Sequence, residues 1–193
     1  MSGVHLNLLP GGGATAAPGE AELAGLSEGE RERTLASWRR QAAWDAESAG
    51  YAVVQATRPR TLSYALTDSP VGQLAWIAEK FREWSDPECV IDRDLLLTNV
   101  MLYWLTRTAG SSAAIYYERA HTDYGGDMYP ASQTPTALAV FAHDNFIPLR
   151  HVAERTNNIV RWTEYGRGGH FPALEVPETL VGDVREFFRA IRP

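Results

Sequence analysis

Two periods of apolar residues run along this chain, and the elements change where one gives way to the other. Val4 to Leu9, VHLNLL, reads as a short strand. Thr136 to Ala142, TALAVFA, reads as a second strand. Ile159, Val160 and Trp162, in the stretch NIVRWTEYGRGGHF from Asn158 to Phe171, mark a third. Short runs of β-branched, aromatic and apolar residues of this kind suit strands buried in a sheet.

Between the first and second strands the period lengthens to that of a helix. Val71, Leu74, Ala75, Ile77, Ala78, Phe81 and Trp84 predict a helix over Val71 to Trp84. Leu95, Leu96, Val100, Met101, Tyr103, Trp104 and Leu105 predict another over Asp92 to Thr108, its aromatics read as core rather than as a cofactor box. Leu180, Val184, Phe187, Phe188 and Ile191 predict a last helix over Val176 to Ile191.

Local signals complete the division. Ser27 with Glu30 three residues on is a capping box, opening a helix to about Ala49 with Gly50 as its stop and Tyr51 directly after. Short helices are expected over Thr61 to Leu66, over Ala113 to Arg119 after a break at Gly110, Ser111 and Ser112, and over Arg150 to Arg155. Asp68 to Pro70 reads as a turn, and Pro10 to Pro18 and His121 to Pro135 as loops. The order is one strand, about 125 mostly helical residues, then strand, helix, strand, helix. That close is α/β and parallel in character.

Composition narrows the function classes. With 45% hydrophobic and 22% charged residues, the 193-residue chain is that of a soluble globular protein rather than a disordered one. A net charge of −6 argues against a nucleic-acid partner, whose phosphates call for clustered basic residues. Arginine outnumbers lysine 17 to 1, Lys80 standing alone, which reads as GC-rich coding. Cys89 is also alone, so neither an intrachain disulfide nor a multi-cysteine zinc site is expected. With no basic residue before Arg31 and no long apolar segment, the expectation is a cytoplasmic protein with no membrane span.

Candidate chemistry gathers at the ends of the last two strands. Gly166, Gly168 and Gly169 let the chain turn sharply and hold His170 at the sheet edge, while Asp144 follows the preceding strand. In a parallel sheet both emerge at the carboxyl end, where sites in such folds lie. An Asp accepting the imidazole N–H would fix the tautomer and leave the other nitrogen as a base; a purely structural hydrogen bond is the alternative. No Gly-x-Ser-x-Gly elbow, nor an Asp in its place, precedes the pair on a strand. Ser111 and Ser112 follow a helix, and Gly11 to Gly13 lack the Gly-Lys-Ser/Thr that a phosphate loop needs.

Four separated segments carry a resemblance: VHLNLL, ESAGYAVVQATRPRTLSYALTDSPVGQLAWIAEKF, LLLTNVMLYWLTRTAGSSAAIYYE and WTEYGRGGHFPALEVPETLVGDVREFF. In this order they resemble the carboxyl-terminal half of the microsomal-type epoxide hydrolases. The resemblance implies a partial α/β-hydrolase core, made of the last three parallel strands with flanking helices, plus a helical cap. Residues 1–9 would be the first core strand, 10–135 the cap, and 136–193 the carboxyl-terminal part of the core. His170 matches the family's general base in RGGHF, and Asp144 the acid orienting it, although Ala142 stands where the family often has proline. Tyr51 and Tyr116 match the two cap tyrosines that hydrogen-bond the epoxide oxygen, with Tyr117 next to the latter. On the residues alone, each tyrosine could equally be a buried aromatic with a satisfied hydroxyl.

In the family's reaction an aspartate opens the epoxide to an ester, the tyrosines stabilise the alkoxide, and the histidine activates water to release a vicinal diol. The substrate implied is a small apolar epoxide, with no cofactor and no metal. No segment here matches the nucleophile motif, so a nucleophile-bearing amino-terminal half is the expected partner, or a homodimer covering an open sheet edge. Two alternatives stand beside this: an inactive fragment that dimerises or binds apolar ligands, and a start assigned too far downstream.

Overall fold

A computed structural model describes residues 2–9, 12–14, 16–123 and 131–192. In chain order the elements are β1 (Val4–Leu6), α1 (Glu20–Leu23), α2 (Glu28–Glu47), α3 (Gly50–Thr57), α4 (Pro59–Asp68), α5 (Pro70–Trp84), α6 (Arg93–Thr106) and α7 (Ala109–His121). There follow β2 (Ser132–Phe141), α8 (Arg150–Ala153), β3 (Asn157–Tyr165), α9 (Pro172–Glu175) and α10 (Pro177–Ala190). The chain divides into two compact units. The first comprises Met1–Trp44, Trp84–Cys89 and Tyr129–Pro193, and the second Asp45–Glu83 and Val90–Met128.

The first unit is built on a parallel sheet of order β1-β2-β3. Strand β2 lies in the middle, with His5 opposite Ala137 on one side and Leu138 opposite Trp162 on the other. Every residue from Thr136 to Phe141 is buried, which is why this strand is a continuous apolar run rather than an alternating one. Pro135 lies in the strand but at a register irregularity, where its missing N–H costs no regular ladder bond. Leu149, Ala153 and Phe187 complete the core. Inside it a buried carboxylate, Asp183 of α10, takes hydrogen bonds from His5 of β1 and from Arg161 and Tyr165 of β3, and so ties the two outer strands to one helix.

In the second unit α3, α4 and α7 pack on one another around Leu66, Ala109 and Ala113. Gly110 lies inside α7, where any side chain would collide with Ser63 of α4. The expected break at Gly110 to Ser112 is therefore absent: the small residues serve close helix approach, and α7 starts at Ala109.

Other boundaries move for similar reasons. The capping box of Ser27 and Glu30 opens α2, with Ser27 N donating to Glu30 Oε2 at 2.9 Å. Gly50, however, does not cap it. The helix ends at Glu47, and Gly50 has no positive φ and opens α3, so Tyr51 sits in a helix. Strand β1 stops at Leu6 and α8 at Ala153, both sooner than expected, while β2 begins at Ser132, inside the expected loop. Residues 124–130 of that loop lie outside the described residues, as do Pro10, Gly11 and Thr15 of the earlier one. The helix expected over Val176 to Ile191 is α10, and an unexpected short helix, α9, precedes it, the two parted by Val176 in a non-helical conformation before Pro177.

Candidate active site

Strands β2 and β3 end side by side, and the two turns that follow are laced together. Ala142 N donates to the carbonyl of Tyr165, and His143 N to that of Gly168 at 3.1 Å. Arg40 of α2 reaches in and donates to the carbonyl oxygens of Ala142 and Asp144. Burial pushes the Arg40 guanidinium below its usual range, against the pull of the neighbouring Asp144. These bonds hold the Asp144 side chain 4% exposed, with Oδ1 accepting from Asn145 N and facing the imidazole of His170.

The distance from His170 Nδ1 to Asp144 Oδ1 is 2.9 Å. An ionised carboxylate only accepts, so Nδ1 carries the hydrogen, and in the neutral ring it is Nε2 that has the lone pair. The imidazole is 21% exposed, open enough to meet water. Trp84 stands edge-on to it with ring centroids 5.1 Å apart, and Phe171 does the same from the other neighbour. The arrangement is an imidazole whose tautomer is fixed by a buried carboxylate, which is what a general base requires.

The glycines before His170 differ in what they do. Gly168 has φ +89, a conformation that L side chains rarely adopt. Gly169 presses on backbone: a Cβ there would lie 2.6 Å from the Trp84 carbonyl oxygen and 2.9 Å from Asp86 N. Gly166 has open space around it. The segment Trp84 to Asp86 thus forms the bed on which the histidine loop lies. Asp86 is completely buried and accepts from Arg167 Nε and from the main-chain N–H groups of Gly168 and Glu88. Burial alone would push its pKa up; the Arg167 hydrogen bond, then those of Gly168 and Glu88 and the charge of His143, outweigh it and hold the carboxyl well below the usual range.

In the second unit the structure brings Tyr51 of α3 and Tyr116 of α7 together, their rings 5.9 Å apart and edge-on. Tyr117, one residue on, stacks instead on His121 at 4.0 Å. Burial raises the Tyr51 phenol above its ordinary pKa, and the charge of Tyr116 and a hydrogen bond with it raise it further. The proton therefore stays on the oxygen at neutral pH, as a hydrogen-bond donor requires. Lys80 of α5 lies 4.6 Å from the Tyr51 ring centre and 5.2 Å from that of Trp76.

Periodicity gives no notice of Trp84, Asp86, Arg167 and Glu175 as a group, since they sit at element ends and in loops. A fully buried Asp in a loop carries no pattern of its own. Lys80 does carry one signal, its singularity among 17 arginines, which a coding-bias reading passes over. Among the described residues no group of three or more His, Cys, Asp or Glu is placed to hold a metal ion. No helix there is long and apolar enough to cross a membrane.

No protein-family model matches the chain. A protein described as a putative epoxide hydrolase in Stigmatella aurantiaca (strain DW4/3-1) is 39% identical over 197 residues, covering 100% of this chain and 42% of that protein. Epoxide hydrolase 1 of Sus scrofa is 36% identical over 151 residues, covering 72% of this chain and 33% of its own. The solved structure of Aspergillus niger epoxide hydrolase superposes with a TM-score of 0.77 at 29% identity, covering 97% of this chain and 46% of that one. The chain thus spans less than half the length of these relatives and corresponds to their carboxyl-terminal part.

Proposed function

Because the chain belongs to the microsomal-type epoxide hydrolase family within the α/β-hydrolase superfamily, we propose that it supplies the base and the two phenols for converting an apolar epoxide to a vicinal diol. The observation that carries this reading is the 2.9 Å hydrogen bond between His170 Nδ1 and Asp144 at the ends of adjacent parallel strands.

The chemistry runs in two halves. A carboxylate oxygen, provided by a segment outside this chain, attacks an epoxide carbon, and the C–O bond breaks with its electrons passing to the ring oxygen. Tyr51 and Tyr116 donate hydrogen bonds to that oxygen as it becomes an alkoxide, which takes up a proton supplied from solvent. His170 Nε2 then takes a proton from water, and the hydroxide adds to the carbonyl carbon of the ester. The acyl–oxygen bond breaks, the diol oxygen receives the proton from the imidazolium, and the carboxyl group left behind loses its proton to solvent, which restores the carboxylate. Asp144 keeps Nδ1–H in place and stabilises the imidazolium between those two transfers.

The partner reading has support from the sheet. Among the described residues β1 pairs only with β2, which leaves its other edge to accept a strand. The test combines the chain with a nucleophile-bearing half taken from a relative and follows a single turnover. The expected result is diol formation, with His170→Gln slowing ester hydrolysis about 10²- to 10⁴-fold so that the ester accumulates. A folded complex that forms neither ester nor diol refutes the assignment.

A second reading draws on α6, where Leu102 and Leu105 are 60% and 73% exposed beside Leu95 and Met101. A chain acting as a dimerising or apolar-ligand-binding protein would use such a face. Sedimentation of the chain alone, with and without Leu102→Glu, separates the two: a dimer lost in the variant and indifferent to His170→Gln favours this second reading.

A further inference from the structure

We propose that Asp86 is a positioning residue for His170, holding the base in register with Asp144 without touching the imidazole; this rests on the reading of His170 as the base. The geometry is that of a clamp around the histidine loop. Asp86 Oδ2 accepts from Gly168 N at 2.9 Å and from Arg167 Nε at 2.7 Å. One residue beyond Gly169, His170 N donates to the Trp84 carbonyl at 2.8 Å. Phe171 N donates to Glu175 Oε1 at 2.8 Å, and the other oxygen of that carboxylate accepts from Asp86 N at 2.6 Å. The main chain is therefore held two residues before the histidine, at it and one residue after it, and Asp86 takes part in the first and last of these attachments.

The other oxygen of Asp86 accepts from Glu88 N at 2.9 Å, which closes the turn following Trp84. That turn aims the Trp84 ring at the imidazole edge and presents the backbone against which Gly169 lies. Arg167 extends the clamp outward, its second nitrogen meeting Glu88 at 2.9 Å. Without the carboxylate, the loop keeps His143 N to the Gly168 carbonyl as its main tie to the sheet. A hydrogen bond of 2.9 Å between Nδ1 and Asp144 tolerates a displacement of only a few tenths of an ångström before it weakens. An asparagine at position 86 turns an amide donor toward at least one of the three N–H groups and so undoes the clamp while keeping its volume.

The test needs no substrate in its first arm. The chain is labelled with ¹⁵N in its histidine rings, and the His170 signals are identified by their loss in His170→Gln. The wild type is expected to show one tautomer, with hydrogen on Nδ1 and none on Nε2. In Asp86→Asn the two nitrogen shifts are expected to converge by half or more as both tautomers populate. Asp183→Asn removes another buried carboxylate of the same unit and leaves them in place. Should circular dichroism show Asp86→Asn unfolded, Arg167→Lys takes its place, since Arg167 is half exposed, and the same convergence is expected in smaller degree.

In the complex with a nucleophile-bearing half, Asp86→Asn is expected to slow ester hydrolysis about 100-fold while ester formation stays within about threefold. If His170→Gln leaves hydrolysis intact, the base assignment fails and the proposal with it. If His170→Gln stops hydrolysis while a folded Asp86→Asn keeps both the wild-type tautomer and the wild-type rate, the base stands and the positioning role is overturned.

Discussion

Replacing Asp183 with alanine tests the account of how this three-stranded sheet holds together. Asp183 is 2% exposed and receives His5 Nε2 at 2.6 Å, Arg161 at 2.6 and 2.9 Å, and the Tyr165 hydroxyl at 2.9 Å. Breaking a buried ion pair by removing one partner costs about 3–5 kcal/mol, because the other charge is left without compensation. Here Arg161 keeps Glu186 at 2.7 Å and its side chain is 28% exposed, so water and a second carboxylate take part of the load. That places Asp183→Ala near the lower end, about 3 kcal/mol, a large share of the roughly 5–15 kcal/mol that holds a domain folded.

With a urea slope of about 2 kcal/mol/M, the midpoint should fall by about 1.5 M. Hydrogen exchange at the β1–β2 ladder is the better probe in a chain of two units, since it reports the opening of this one. Protection of Ala137 and Leu138, opposite His5 and Leu6, should drop about 100-fold or more. A midpoint shift under about 0.5 M with the ladder still protected would refute the idea that one carboxylate pins both outer strands.

The remaining predictions concern pH, the glycine loop and the phenols. Asp183 and Asp86 are both held below the ordinary carboxylate range when folded, hydrogen bonds outweighing the opposing effect of burial. Each therefore contributes stability that is full above the unfolded value of about 4 and is lost as pH falls through the lower folded one; an acid-limb midpoint in urea that stays flat below pH 4 contradicts this. Gly169→Ala should cost about 1–3 kcal/mol, since its Cβ would strike the Trp84 and Asp86 backbone, whereas Gly166→Ala, with open space around it, should stay within about 0.5 kcal/mol by thermal melts. Equal effects at the two glycines would refute the bed assigned to Trp84–Asp86. Tyr51→Phe should slow ester formation in the complex about 100-fold and leave hydrolysis of preformed ester unchanged, as single-turnover quenching would show. The reverse pattern would remove Tyr51 from the opening step.

What could be read along the chain was whatever repeats or stands alone within it. Helix α5 and strand β2 were legible because burial of one stripe or of a whole strand imposes a period on their residues. His170 and Asp144 were legible as the groups following adjacent parallel strands, and the family motifs added Tyr51 and Tyr116. Local signals misled at Gly50 and at Gly110 to Ser112, because a glycine marks equally a chain reversal, a helix start and a close helix crossing.

Contacts between distant parts of the chain leave no such mark. That Asp86 lies under Gly168, that Asp183 gathers His5 from 178 residues away, and that Tyr116 rather than Tyr117 meets Tyr51 were decided only by the packing. The physical reason is that a hydrogen bond between loops is satisfied by direction and distance, which have no period in sequence, whereas burial acts on every residue of a face at once.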